Sequence, residues 1–198
     1  MKTKEMLEWK EFDKLENTDD VIIKKAKGLA PVFIYIVPNI IDAFEHSLKE
    51  GHMGDKKLLE KYKEKELEIS MQFLMLLFHW TDRMSFALLK NEKRNIFINT
   101  LLAETKGLYS KAIEGGIEIE LFRDTFNKNY DDFQDKYGKF KLYAEKEEGL
   151  GGTVLWEFGK DIMDLLDNQH NLMLMMLFPQ LFTFYFKQLN ISGLLTSK

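Results

Sequence analysis

The 198-residue chain contains no cysteine. This absence excludes disulfide bonds, thiolate metal ligands and a cysteine nucleophile, and it fits a reducing compartment, so we expect a cytoplasmic protein. Only three prolines accompany 12 glycines, so little of the sequence is marked as loop. The first 20 residues lack the apolar stretch of a signal peptide, and none is expected.

A surplus of basic charge and a membrane-length apolar run are also missing. The formal net charge is -4 and the isoelectric point is about 5.7, which argues against a nucleic-acid partner. The longest apolar run, Leu172–Phe186, is shorter than the roughly 20 residues that span a bilayer, and it contains Pro179 and Gln180. Three aspartates lie just upstream, where a longer span would have to run. The sequence therefore favours a buried helix, or one docked on a partner, over a membrane span.

Large apolar residues and a helical rhythm are what the chain does contain. It has 16 Phe and 10 Met, which suit a core between packed helices. Apolar residues recur at helical spacing in nearly every segment, and no repeat or Pro/Ser-rich linker interrupts them. These patterns predict an all-α fold: a single-domain helical bundle over residues 1–198, with about six to seven helices and long central and C-terminal helices.

The first part of the chain leaves one element open. Thr18 and the two acidic residues after it predict a helix start, and Gly28 predicts its end. The β-branched run Val32–Val37 lies between two prolines and is the one strand-like segment. A lone strand has no partner to pair with, so we favour a buried helix that continues through Pro38 to about Lys49.

The long central and C-terminal helices can be placed in the sequence. One is predicted from Asp55 to about Lys90, charged at first and nearly all apolar over Met71–Leu89. Another is predicted to start at a Thr153 cap and to run long, with Pro179 kinking or dividing it. Between them, Gly138–Gly152 could form a short hairpin arm or a plain loop.

The most informative residues interrupt the apolar helix. His79, Asp82 and Arg83 fall on one helical face at about 100° per residue. Charged groups are rarely buried unless they are paired, because desolvating them costs several kcal/mol. The cluster is therefore the candidate site.

Two interpretations of this cluster stay open. The first is a buried ion pair with a hydrogen-bonded histidine that fixes helix register. The second is a polar pocket for a small anionic or polar ligand, with Arg83 as anion clamp and His79 as proton donor or acceptor. Arg83 is predicted to pair with a carboxylate, either that of Asp82 or one on a neighbouring helix, such as Glu104 or Asp164.

No catalytic residue, metal or cofactor is expected. The chain has no phosphate-binding loop, no nucleophile elbow and no zinc-protease motif. Helical His/carboxylate spacings do occur, as in Asp42, Glu45 and His46 or in Asp167 and His170. The Glu-x-x-His motif of bundle metal sites is absent, so a metal site is the weaker interpretation.

The segment FHWTDRMSFALLKNEKRNIFINTLL resembles a stretch found in a group of small, uncharacterised bacterial helical proteins. The shared pattern is His79, Asp82, Arg83, an aromatic residue at Phe86, then Arg94 and Phe97 in the next helix. The match covers about 25 residues. It implies a helical fold and carries no activity.

Three classes of function remain, in this order. The first is a non-enzymatic interaction or regulatory protein that forms a homodimer through the C-terminal apolar helix, Leu172–Phe186. The second is a small-ligand or metal-binding helical bundle that uses His79, Asp82 and Arg83. The third is a peripheral membrane protein, which would need more basic residues than Lys187 beside the apolar helix.

Overall fold

The computed structural model describes residues 19–50, 56–112, 117–143 and 151–197, and 87% of it is helical. Its helices are, in chain order, α1 (Asp19–Glu50), α2 (Lys56–Leu88), α3 (Asn91–Ala112), α4 (Ile117–Tyr137), α5 (Val154–Leu165), α6 (Leu172–Gln188) and α7 (Ile191–Thr196). The predicted all-α bundle is confirmed. No helix among these residues has the length and apolar character needed to cross a membrane.

Helix α1 settles the open element, because Val32–Val37 lies within it. The predicted end at Gly28 is wrong, and Thr18 lies outside the described residues. Both Pro31 and Pro38 lie inside α1 and are exposed, seven residues apart on one face. A proline leaves the carbonyl four residues earlier without its helical partner. On a solvent-facing side water can bond to that carbonyl, while the opposite face stays packed.

Helix α2 forms the centre of the fold, as the apolar run Met71–Leu89 predicted. Every residue from Phe73 to Asp82 is buried, so this half of the helix is enclosed on all sides. Its charged first half is mostly exposed, with Leu58, Tyr62 and Ile69 as its inward positions. The helix therefore changes from a surface helix into a core helix along its length.

The chain beyond Thr153 forms three helices rather than one long helix. Thr153 is the N-cap that was predicted, since its side chain accepts a hydrogen bond from the Trp156 amide at 3.3 Å. The division at Pro179 is wrong, because Pro179 lies inside α6. The break comes earlier, at Asp167, whose φ of 53° is left-handed and cannot continue a helix.

Between α4 and α5, the described residues of Gly138–Gly152 contain no hairpin. Lys141 and Thr153 form one isolated parallel bridge, and residues 144–150 lie outside the described ranges. The loop alternative is thus the one that fits residues 138–143 and 151–152.

One connected apolar core includes residues from every helix from α1 to α7. Aromatic rings dominate it: Phe178 of α6 lies 4.6 Å from Phe44 of α1 and 5.8 Å from Phe73 of α2, measured between ring centroids. Helix α5 comes close to α6 at Gly159, where an added Cβ would lie 3.2 Å from the Met175 carbonyl oxygen. These contacts hold α6 against the bundle by one face.

Candidate functional site

His79, Asp82 and Arg83 lie together near the end of α2, where the apolar run places them in the interior. His79 and Asp82 are buried, and Arg83 is half-buried. The predicted burial is therefore confirmed for His79 and Asp82, and Arg83 is only half-buried. Each of the three side chains, however, bonds to a different neighbour rather than to another member of the cluster.

Asp82 forms a two-pronged ion pair with Arg94 at the start of α3. Arg94 Nε donates to Asp82 Oδ1 at 2.8 Å, and Nη2 donates to Oδ2 at 2.6 Å. This geometry uses both carboxylate oxygens, which makes it a strong charge-assisted contact. Hydrogen bonding to Asp82 raises the pKa of Arg94 above its usual value. The Arg94 guanidinium also lies 5.7 Å from the Phe86 ring centre. The pair therefore ties the end of α2 to the start of α3.

Arg83 does not pair with a carboxylate among the described residues, and the prediction that it would is wrong. Its Nη1 donates to the Phe140 carbonyl at 2.8 Å and to the Gly138 carbonyl at 3.2 Å. Adjacent helical residues diverge by about 100°, so Arg83 points away from Asp82 towards the end of α4. Carbonyls just beyond a helix C-terminus attract a cation, which makes this an ordinary partner for arginine.

The two other predicted partners lie elsewhere. Glu104 of α3 pairs with Lys27 of α1, with an oxygen to nitrogen distance of 3.4 Å. Asp164 of α5 is exposed. Neither carboxylate is in contact with Arg83.

His79 bonds to Gln134 of α4, with 2.7 Å between Nδ1 and Oε1. In this arrangement Nδ1–H donates to the amide oxygen, so Nε2 carries the lone pair of a neutral ring. His79 Nε2 and Gln134 Nε2 are both buried, and no described protein group bonds to either. The His79 ring lies 5.7 Å from that of Phe133.

Burial lowers the pKa of His79 below its usual value, and the positive charge of Arg83 lowers it further. The hydrogen bond to Gln134 opposes these effects. The imidazole is thus neutral at pH 7 and sealed from solvent. Neither ring nitrogen of His79 therefore faces solvent in this structure.

Sequence reasoning found the buried polar residues but missed their partners. Arg94 could have been predicted as the partner of Asp82, because it belongs to the pattern on which the resemblance is based and lies 12 residues after Asp82. No signal pointed to Gln134 or Phe140, which lie 55 residues after His79 and 57 residues after Arg83. In the described residues no group of three His, Asp or Glu side chains is placed to hold a metal ion.

A second feature of functional interest is the outer face of α6, the predicted apolar helix. Leu174, Phe178 and Phe182 of this helix are buried in the core. On the outer face Leu172 is 62% exposed, Met173 66%, Met176 38% and Phe184 62%. An open groove of about 680 Å³ runs along this face and is lined by Met176, Pro179, Gln180, Thr183, Phe184, Lys187 and Gln188. None of the His79 cluster contributes to it.

No protein-family model matches the chain, and neither a curated protein nor a solved structure matches it. The resemblance built on His79, Asp82 and Arg83 therefore stays a prediction. Function has to be argued from the polar cluster in the core and from the apolar face of α6.

Proposed function

We propose that this protein is a non-enzymatic interaction protein of the cytoplasm that forms a homodimer through the outer face of α6. The observation that carries the proposal is the exposure of four large apolar side chains on one helix: Leu172, Met173, Met176 and Phe184. Apolar patches of a few hundred Å² on a soluble domain commonly mark an interaction surface. A groove beside them offers a second helix a place to pack.

The internal polar cluster supports a structural role and not a ligand site. Asp82 is neutralised by Arg94, Arg83 Nη1 bonds to two backbone carbonyls, and His79 is sealed. The cluster instead links α2 to α3 and α4, which is what a register-fixing element does.

The test measures the mass of the full chain in solution by light scattering between 1 and about 100 μM, the range in which a modest interface associates. We expect about twice the monomer mass of 23.4 kDa. Phe184→Asp buries a charge in the interface and should weaken association about 100-fold or more. Leu67→Asp is the matched control, because Leu67 of α2 is 70% exposed and lies outside the groove.

Two results would overturn the proposal. One is a wild-type mass that stays at 23.4 kDa over the whole range. The other is a dimer whose association is weakened no more by Phe184→Asp than by Leu67→Asp. A monomeric protein that sediments with anionic lipid vesicles, and loses this with Phe184→Asp, would favour the peripheral membrane class instead.

A further inference from the structure

The outer face of α6 is laid out symmetrically about Gln180. Met176 and Phe184 lie four residues before and after it, and Met173 and Lys187 lie seven residues before and after it. Each of these five residues is exposed, so they form one stripe along the helix. A stripe that has the same spacing in both directions suits a two-fold axis through its middle residue.

The groove has the form of two adjoining holes of the kind that helices use to pack together. Met176, Pro179, Gln180 and Thr183 have the spacing i, i+3, i+4 and i+7, and all four line the groove. Gln180, Thr183, Phe184 and Lys187 repeat that spacing one turn later. Four residues in this arrangement form the hole that receives one side chain of a facing helix. This spacing suits a facing helix.

We propose that two copies of α6 pack antiparallel, with the two-fold axis at Gln180 and with Phe184 of each copy against the partner's Met176. This inference rests on the proposed homodimer and specifies its geometry. An aromatic ring against a methionine sulfur is a favourable contact. At the axis the Gln180 amide faces its own copy, and each amide can donate to and accept from the other.

The position of the axis follows from Gln180. A register shifted by one turn would bury the amide against an apolar side chain and leave its donors without partners, which is unfavourable. A single buried amide that can be satisfied in one register is a known means of fixing that register between paired helices.

The direction follows from Lys187, the one charged residue in the sequence of α6. A parallel pair would place Lys187 beside the same residue of the second copy, so that like charges oppose each other. It would also align the two helix dipoles. An antiparallel pair places Lys187 opposite Met173 and opposes the dipoles, and both changes are favourable.

A second copy also fits the groove in area and charge. Taking about 200 Å² for a large free side chain, the exposed fractions of the four apolar residues amount to roughly 450 Å² per copy. A stable interface buries about 800 Å² per partner, of which about 65% is apolar in homodimers. The exposed apolar area is close to that share, Gln180 supplies the polar centre, and Thr183 and Gln188 supply polar rim. A charged partner would find only Lys187 to match it.

Single cysteines test the geometry directly, because the chain has none of its own. Gln180→Cys and Lys187→Cys are oxidised separately and analysed on non-reducing gels, after light scattering has given the mass of each variant. With the axis at Gln180, the two cysteines at 180 meet and form a disulfide. The two at 187 lie about 21 Å apart along the helices, at 1.5 Å per residue, and cannot. Leu67→Cys reports cross-linking by random collision.

The expected result is a disulfide yield for Gln180→Cys at least about tenfold above that of Leu67→Cys, with Lys187→Cys at the level of the control. A dimer in which both α6 variants cross-link would mean parallel packing and overturn the inference while leaving the homodimer intact. A dimer in which neither exceeds the control would mean an interface elsewhere or an α6 register without its axis at position 180, and either result overturns the inference. A monomeric wild type would overturn both the inference and the proposed function.

Discussion

Replacing Arg94 or Asp82, singly and together, tests whether the polar cluster in the core is structural. The pair joins α2 to α3 through two hydrogen bonds of 2.6 and 2.8 Å. Its two members differ in exposure: the Asp82 side chain is 7% exposed and that of Arg94 is 30% exposed. The two single variants should therefore differ in cost.

Arg94→Met leaves a carboxylate in a nearly closed site, which should lower the free energy of unfolding by about 3–5 kcal/mol. Asp82→Leu leaves a guanidinium that can turn towards water, so its cost should be smaller, about 1–2 kcal/mol. The double variant strands neither charge and should resemble Asp82→Leu alone. The coupling between the two positions then equals the cost of Arg94→Met alone, about 3–5 kcal/mol.

Arg83→Met provides the control cycle. Arg83 lies next to Asp82 in sequence but bonds to carbonyls at the end of α4. Asp82→Leu and Arg83→Met should therefore add to within about 0.5 kcal/mol. All variants are unfolded in urea at pH 7 and at one fixed protein concentration, since association would shift apparent stability. Additive effects for Asp82 and Arg94, or equal coupling in both cycles, would refute the assignment of partners.

Two other predictions concern stability. The lowered pKa of His79 means that the unfolded chain takes up its proton before the native protein does. The contribution of neutral His79 to the free energy of unfolding should therefore be complete above pH 6.5 and fall as the pH drops below that value, by at most about 1.4 kcal/mol per pH unit. Urea unfolding of His79→Gln should lack this pH-dependent contribution. A variant with the same pH profile as the wild type would contradict the prediction. Gly107→Ala in α3, where a Cβ meets nothing within 4 Å, should stabilise the protein by up to about 1 kcal/mol. Gly159→Ala in α5 should gain less or lose stability, because its methyl would lie 3.2 Å from the Met175 carbonyl oxygen; equal gains in thermal unfolding would show that α5 and α6 are not closely packed there.

Local pattern predicted the helices where a single strong signal was present. The apolar run Met71–Leu89 lies within α2 except for its last residue, and Thr153 caps α5. Gly28 was wrongly predicted to end a helix, whereas the helix was expected to continue through Pro38. The effect of either residue depends on which side of the helix it occupies. Burial of Phe33 and Ile40 on the opposite face of α1 offsets the weak helical preference of Gly28 and Pro38.

The sequence does contain a signal for the break between α5 and α6, which the prediction of one long helix did not take into account. Asp167 begins the polar stretch DNQHN, which separates two apolar segments and ends at Asn171. Asp and Asn adopt left-handed backbone and cap helices more readily than most residues. The Asn171 side chain accepts a hydrogen bond from the Leu174 amide at 3.1 Å, so α6 has its own start. Pro179, which was predicted to kink or divide the helix, lies inside α6.

The partners of the polar cluster lay beyond sequence reasoning for a different reason. Helical periodicity says which side of α2 a residue occupies, but not which helix lies against that side. His79 and Arg83 contact α4 and its end, and Asp82 contacts α3, so three residues that share a face bond to separate elements.

This arrangement is also consistent with the proposed function. Each polar group of the cluster that could act on a ligand is held by the fold itself, either by a neutralising charge, by backbone carbonyls or by burial. Four of the nine large apolar side chains that are exposed in the described part of the chain lie on the outer face of α6, whose inner face is anchored by Phe178 and Phe182. A rigid helix that presents exposed Met176 and Phe184 has its side chains set in place before any partner arrives. Little conformational freedom is then lost on association, which favours binding through a modest area.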